Sequence, residues 1–231
     1  GSKKHDFTTI VTPGLGLELP FGDNKLKFDY KAAIARFAEY DSQNSVNHDV
    51  NGLLEFDLKD VDFKFSDRFE KKFDRPNSEL TSRVKFDRNT AKAGAAMTLN
   101  RLGFELGYSN LWYDYLTPGY SEEDRYEHAV DFITSYRFLP KTSFLLEFDY
   151  GHVNYDTNVR SNSDSYQPLV GLRGKLTAKS TAEIKVGYQA RDYKMEGDPD
   201  FSSVVAIASI IEEFTPSDTL TLNFLRKPYE S

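Results

Sequence analysis

The sequence predicts an all-β protein, an up-and-down antiparallel transmembrane β-barrel with about twelve strands visible, itself part of a larger barrel. Three observations carry this. First, residues 181 to 190 alternate: Ala182, Ile184, Val186, Tyr188 and Ala190 share one face, and Thr181, Glu183, Lys185 and Gln189 the other. A strand turns successive side chains to opposite sides, so one face is apolar and the other wet. Second, the run is longer than the about 5–6 residues of an ordinary strand and suits the roughly 9–11 of a tilted membrane-crossing one. Third, the same pattern recurs along the chain with tight turns and long loops in alternation, as outer-membrane barrels have short periplasmic turns and longer external loops.

Composition is compatible with this. Of 231 residues, 39% are hydrophobic and 14% aromatic, with 18 Phe and 14 Tyr, enough for interfacial girdles. The mean hydropathy of -0.57 looks soluble, but half of every barrel strand faces water. No stretch approaches the about 18 apolar residues of a membrane helix. A net charge of -7 disfavours a general nucleic-acid binder. The absence of cysteine excludes disulfides, thiolate metal sites and thiol nucleophiles. Gly1-Ser2 reads as a tag remnant.

In chain order, the pattern predicts a first strand over Phe7 to Leu19, closed by the turn residues Pro20 to Asn24, and a second over Leu26 to Tyr40. The third runs from Asp49 to Leu58, with Leu54, Phe56 and Leu58 opposed to Glu55 and Asp57. Lys59-Asp60 turns into the fourth, Val61 to Phe73. Leu80 to Leu99 is read as one long fifth strand rather than a hairpin at Arg88 to Thr90, because a hairpin would invert the parity of every later strand. The sixth is Leu102 to Tyr115, the seventh Tyr126 to Phe138 and the eighth Ser143 to Tyr155. The ninth is Gln167 to Thr177, the tenth Thr181 to Lys194, the eleventh Phe201 to Phe214 and the twelfth Leu220 to Arg226. Residues 1–231 are read as a single barrel domain. With this parity both ends lie on the long-loop side. The expectation is therefore an internal portion of a longer chain, with at least one strand before Phe7 and one after Ser231.

Further residues carry a resemblance. Asp6 to Leu15 followed by Leu19-Pro20-Phe21-Gly22, Val170 to Thr177 leading to Gly187 to Tyr193, and Thr215 to Leu222 with Arg226 resemble the type 2 β-barrel porin family. The motifs are degenerate strand-and-turn patterns, but they extend over nearly the whole chain. The resemblance implies a Gram-negative outer-membrane barrel, a member of a group that often accompanies exopolysaccharide synthesis and export. It carries over no catalytic residues.

No enzyme motif appears. Gly14-Leu15-Gly16 lacks the lysine and helix of a phosphate loop, and no nucleophile motif frames a serine. His5, His48, His128 and His152 have no metal-ligand spacing. Loop acids Glu122 to Asp124 and Glu196, Asp198 and Asp200 have calcium chemistry, but such acids are more often merely solvated. Trp112, Tyr108, Tyr113 and Tyr115 suit a sugar-stacking surface or, more commonly, an interfacial belt. The candidate functional residues are the lumen-facing charges: Glu55, Asp57, Asp62, Lys64, Arg83, Lys85, Glu105, Asp131, Glu147, Asp149, Arg173, Lys175, Glu183, Lys185 and Arg191. The candidate lipid-facing residues are Phe104, Leu106, Phe144, Leu146, Phe148, Ile184 and Val186. The function expected is a channel for polar solutes or polysaccharide export, without enzyme activity or cofactor. The alternatives are a structural or anchoring barrel with no open pore and a soluble antiparallel sandwich or barrel that binds a ligand. Expected partners are outer-membrane lipid, and a polysaccharide or export-system proteins, with no nucleic acid.

Overall fold

The computed structural model describes residues 7–74, 83–215 and 218–228. One antiparallel sheet of thirteen strands contains most of them, and every strand from the second onward pairs with the next in sequence. The strands are β1 (Thr8–Val11), β2 (Gly14–Phe21), β3 (Asn24–Phe37), β4 (Ser45–Asp57), β5 (Val61–Asp74), β6 (Val84–Leu99), β7 (Leu102–Tyr115), β8 (Arg125–Leu139), β9 (Thr142–Tyr155), β10 (Ser163–Lys175), β11 (Ser180–Tyr193), β12 (Phe201–Glu213) and β13 (Thr219–Arg226). Two single 3-10 turns, Asp41–Gln43 and Ser121–Glu123, are the only helical elements among the described residues.

Thirteen segments amount to twelve strands. β1 and β2 both pair with β3 in one unbroken register, Val11 opposite Ile34 and Gly14 opposite Lys31. The ladder lapses only at Thr12-Pro13, because proline has no N–H to give; the Pro13 carbonyl still accepts from Ala32 N at 3.0 Å. Pro13 and Pro20 are both tolerated there because the segment is a sheet edge. The fifth strand is a single strand over Val84–Leu99, while Leu80 to Ser82 lie outside the described residues.

β3 to β12 are 13 to 16 residues long. Tight turns join β2–β3, β4–β5, β6–β7 and β8–β9. Two of them use left-handed backbone, at Gly22 (φ 65°) and Asn100 (φ 58°), the residue types that adopt it most readily. The opposite end carries the longer connections, and several are stitched together. Asp156 N donates to Asp124 O at 2.9 Å, Arg160 pairs with Glu123, and Lys194 N donates to Asn162 O at 2.9 Å. The sheet is not closed on itself: β1 and β2 pair only with β3, and β13 only with β12.

The sheet is curved. Arg173 on β10 reaches past β9 and β8 to Glu105 on β7 at 2.9 Å, and Lys185 on β11 reaches past β10 to Glu147 on β9 at 2.8 Å. The face holding these contacts is concave. Its side chains crowd, and Leu145, Leu169 and Val205 are buried there. On the convex face Leu106, Phe144, Leu146, Phe148, Ile184 and Val186 are all exposed, and Phe104 is half-exposed.

Close approach of β10 and β11 makes Gly187 necessary. A Cβ on Gly187 would stand 2.9 Å from Leu169 Cα and 2.8 Å from Leu169 Cδ2, with the Pro168 carbonyl oxygen closer still. Pro168 interrupts the ladder inside the sheet, and β11 closes against it only because residue 187 has no side chain.

Candidate functional site

Cross-strand register fixes which side chains share the concave face. One row runs Lys64, Gly94, Gly107, Asp131, Asp149, Gln167. The next runs Asp57, Asp62, Ala96, Glu105, Ile133, Glu147, Leu169, Gly187, Val205. These rows, with the flanking pairs Arg173–Glu183 and Ser165–Arg191, put Glu55, Asp57, Asp62, Lys64, Glu105, Asp131, Glu147, Asp149, Arg173, Lys175, Glu183, Lys185 and Arg191 on that one wall. Lys85 belongs to the other side: it pairs with Phe73 on the convex face, its ammonium 5.9 Å from that ring. Arg83 precedes the strand and lays its guanidinium 4.7 Å from the same ring.

The wall charges form three groups. On β3 to β5, Glu55 takes Lys25 at 2.6 Å and Lys64 at 2.8 Å. Nearer the loop end, Asp49 holds Arg68 at 2.5 Å, and the buried carboxylate of Glu70 takes Lys72 at 2.5 Å, Arg68 at 3.2 Å and Arg88 Nε at 2.7 Å. On β7 to β11 a chain runs Glu105, Arg173, Glu183, Lys185, Glu147, with Arg173 Nε to Glu183 at 2.5 Å and Lys185 to Glu183 at 3.3 Å. Asp57, Asp62, Asp131, Lys92 and Lys175 make no ion pair among the described residues.

Two hollows follow this wall. One of about 710 Å³ is lined by Arg68, Arg88, Lys92, Asp149, Gln167 and Arg191, among others. The other, about 550 Å³, lies toward the tight turns and is acidic, with Asp23, Asp57, Asp62, Glu105 and Asp131 around a floor of Gly94, Ala96 and Gly107. Asp149 lines the first and Asp131 the second, and these two residues face each other across β8 and β9.

Sequence reasoning missed Asp49, Arg68, Glu70, Lys72 and Arg88. The signal was present for β5: Arg68, Glu70 and Lys72 continue the alternation of Asp62 and Lys64 toward the loop end. The aromatic residues divide. Tyr113 and Tyr115 face inward and pack with Phe86 and Val84 in a buried cluster, capped by Arg125 at 4.7 Å from the Tyr113 ring. Tyr108 and Trp112 share the convex face, where the Tyr108 hydroxyl hydrogen-bonds His128 Nδ1 at 2.9 Å. The loop acids are engaged within the fold: Glu123 pairs with Arg160, and Asp124 Oδ1 accepts from Tyr115 N at 2.6 Å. Burial raises the Asp124 carboxyl above its usual range; the Tyr115 hydrogen bond opposes this, and nearby Asp114 and Asp156 add to it. No three His, Asp or Glu side chains are grouped to hold a metal ion among the described residues.

The family described as Putative beta-barrel porin 2 matches residues 1–230. The chain belongs to this porin family. Family and fold together make it a membrane β-barrel protein. No curated protein matches it significantly. For this porin the charged concave wall is the candidate functional surface.

Proposed function

We propose that this porin forms the wall of a water-filled channel through the bacterial outer membrane, for polar solutes or polysaccharide export. The observation that supports it most is the division of the sheet, charged and hydrogen-bonding on the concave face and apolar on the convex. On β11 the convex run from Ala182 to Ala190 covers eight residue steps. At about 3.3 Å each and a tilt of about 40°, these cross roughly 20 Å, close to the about 25 Å apolar band of such barrels. In this reading the concave charges face the lumen, and Phe104, Leu106, Phe144, Leu146, Phe148, Ile184 and Val186 face lipid. The open edges at β1, β2 and β13 fit a wall completed by further strands, because each backbone group left unpaired in lipid costs several kcal/mol.

Conductance in planar bilayers tests the channel. Wild-type protein is expected to give discrete ion currents. Reversing Arg173 and Lys175 together, to Glu, is expected to shift selectivity toward cations. Absence of current from folded, inserted protein would refute the proposal.

A second reading is favoured by the pairing itself. Most wall charges are taken up in cross-strand ion pairs, as expected of a narrow interior in a structural or anchoring barrel without an open pore. The same recording separates the two readings.

A further inference from the structure

Two buried acceptors on the concave wall lack a donor. Gln167 is 3% exposed, and its Nε2 donates to Asp149 Oδ2 at 2.5 Å. Gln167 Oε1 and Asp149 Oδ1 then have no hydrogen-bond partner among the described residues. Buried polar atoms are nearly always paired, so an orphan acceptor calls for an explanation. Both residues line the larger hollow.

The surroundings are negative. Asp131 lies directly across from Asp149, an unfavourable placement for two like charges. Its carboxylate lies over Gly107, its Cγ 2.7 Å from where a Cβ would stand, so the missing side chain gives it room. Glu147, two residues from Asp149, is already committed to Lys185. One more cation is close: Lys227, just beyond β13, lines the same hollow and acts electrostatically on Asp149, yet makes no ion pair among the described residues. The donor set also bears on the kind of cation. No metal-binding group is present among the described residues. A carboxylate oxygen beside an amide oxygen suits N–H donors, and an ammonium carries three.

We infer that Asp149 and Gln167 form a binding site for primary ammonium cations in the lumen, and that Lys227 of the same chain competes for it. Asp131 supplies the second negative charge that draws the cation in. Access to the site rests on the channel reading above. The competition makes a prediction that a merely structural role for these residues does not: removing Lys227 strengthens binding of an added amine.

The probe is 1,4-diaminobutane, its binding measured by calorimetry on the folded protein in detergent micelles, so that the readout does not depend on ion flow. Wild type is expected to bind it, and tetramethylammonium, which has no N–H, is expected not to bind. Asp149→Asn is expected to weaken binding about tenfold, the loss of a charge-assisted contact. Lys227→Met lies outside the strands and leaves the wall intact; it is expected to tighten binding at least threefold. No binding to wild type or Lys227→Met, equal binding of tetramethylammonium, unchanged affinity in folded Asp149→Asn, or unchanged or weaker affinity in Lys227→Met would each overturn the proposal. Bilayer recordings on the same preparations keep the two ideas apart. Binding without conductance removes the channel and leaves the site; conductance without binding does the reverse.

Discussion

Replacing Gly187 with alanine is expected to destabilise the sheet where β10 and β11 meet. In an open strand the exchange would help, because glycine is disfavoured by about 0.5–1 kcal/mol relative to alanine. Here the added methyl would stand 2.9 Å from Leu169 Cα and nearer still to the Pro168 carbonyl. An ordinary carbon contact is about 3.5 Å, so β10 and β11 must part by roughly 0.6 Å or more. Overpacking of this kind costs about 1–3 kcal/mol, and each ladder hydrogen bond stretched out of range adds about 0.5–1.5 kcal/mol. Pro168 already leaves the ladder interrupted there, so little slack remains to absorb the shift. The expected net loss is about 2–3 kcal/mol. Urea unfolding in lipid vesicles measures it, followed by the emission of Trp112, the single tryptophan. Gly52→Ala is the control: the nearest atom to its Cβ is 3.9 Å away, and stability should hold or rise slightly. Equal midpoints for wild type and Gly187→Ala would refute the argument from close approach.

Other expectations are as specific. Arg88→Ala removes one of the three bases around the buried Glu70 carboxylate and should cost about 3 kcal/mol in the same urea assay, whereas Lys25→Ala, at an exposed pair, should leave the unfolding midpoint almost unchanged. Phe148→Arg, at mid-height on the convex face, should cost about 2–4 kcal/mol in vesicles if that face meets lipid, and almost nothing if it meets water. Asp124 has a raised carboxyl, so its contribution is fully present below the ordinary 3.8 and is lost as pH rises through the folded value. Asp124→Asn keeps the acceptor for Tyr115 N–H. It should therefore match wild type at low pH and be more stable than wild type above that window, read from thermal melts across pH.

Most of the architecture was legible because a strand with one wet and one dry face writes its period into the sequence. β7, β9 and β11 alternate so cleanly that register added little to the assignment of Glu105, Glu147 or Lys185. β6 did not, because Ala91, Ala93 and Ala95 on one side face the same way in hydropathy as Gly94 and Ala96 on the other. Small residues leave the phase of a strand open, and the pattern predicts Arg83 and Lys85 inward although Lys85 pairs with Phe73 on the convex side. The division of the first strand depends on one missing N–H at Pro13, which leaves the register intact. Gln167 and Lys227 were invisible for a different reason. Their interest comes from which acceptors remain unpaired and from a chord across four strands, and neither quantity exists in a linear pattern.

The stitched loops at the open end have a consequence for how this porin would be recognised. The connection after β7 is tied to the one after β9 through Asp124, Asp156, Glu123 and Arg160, and that in turn to the one after β11 through Asn162 and Lys194. An antibody or a phage tail approaching this end would meet a composite epitope drawn from three separate stretches of chain, and peptides copied from any single loop should fail to compete for it.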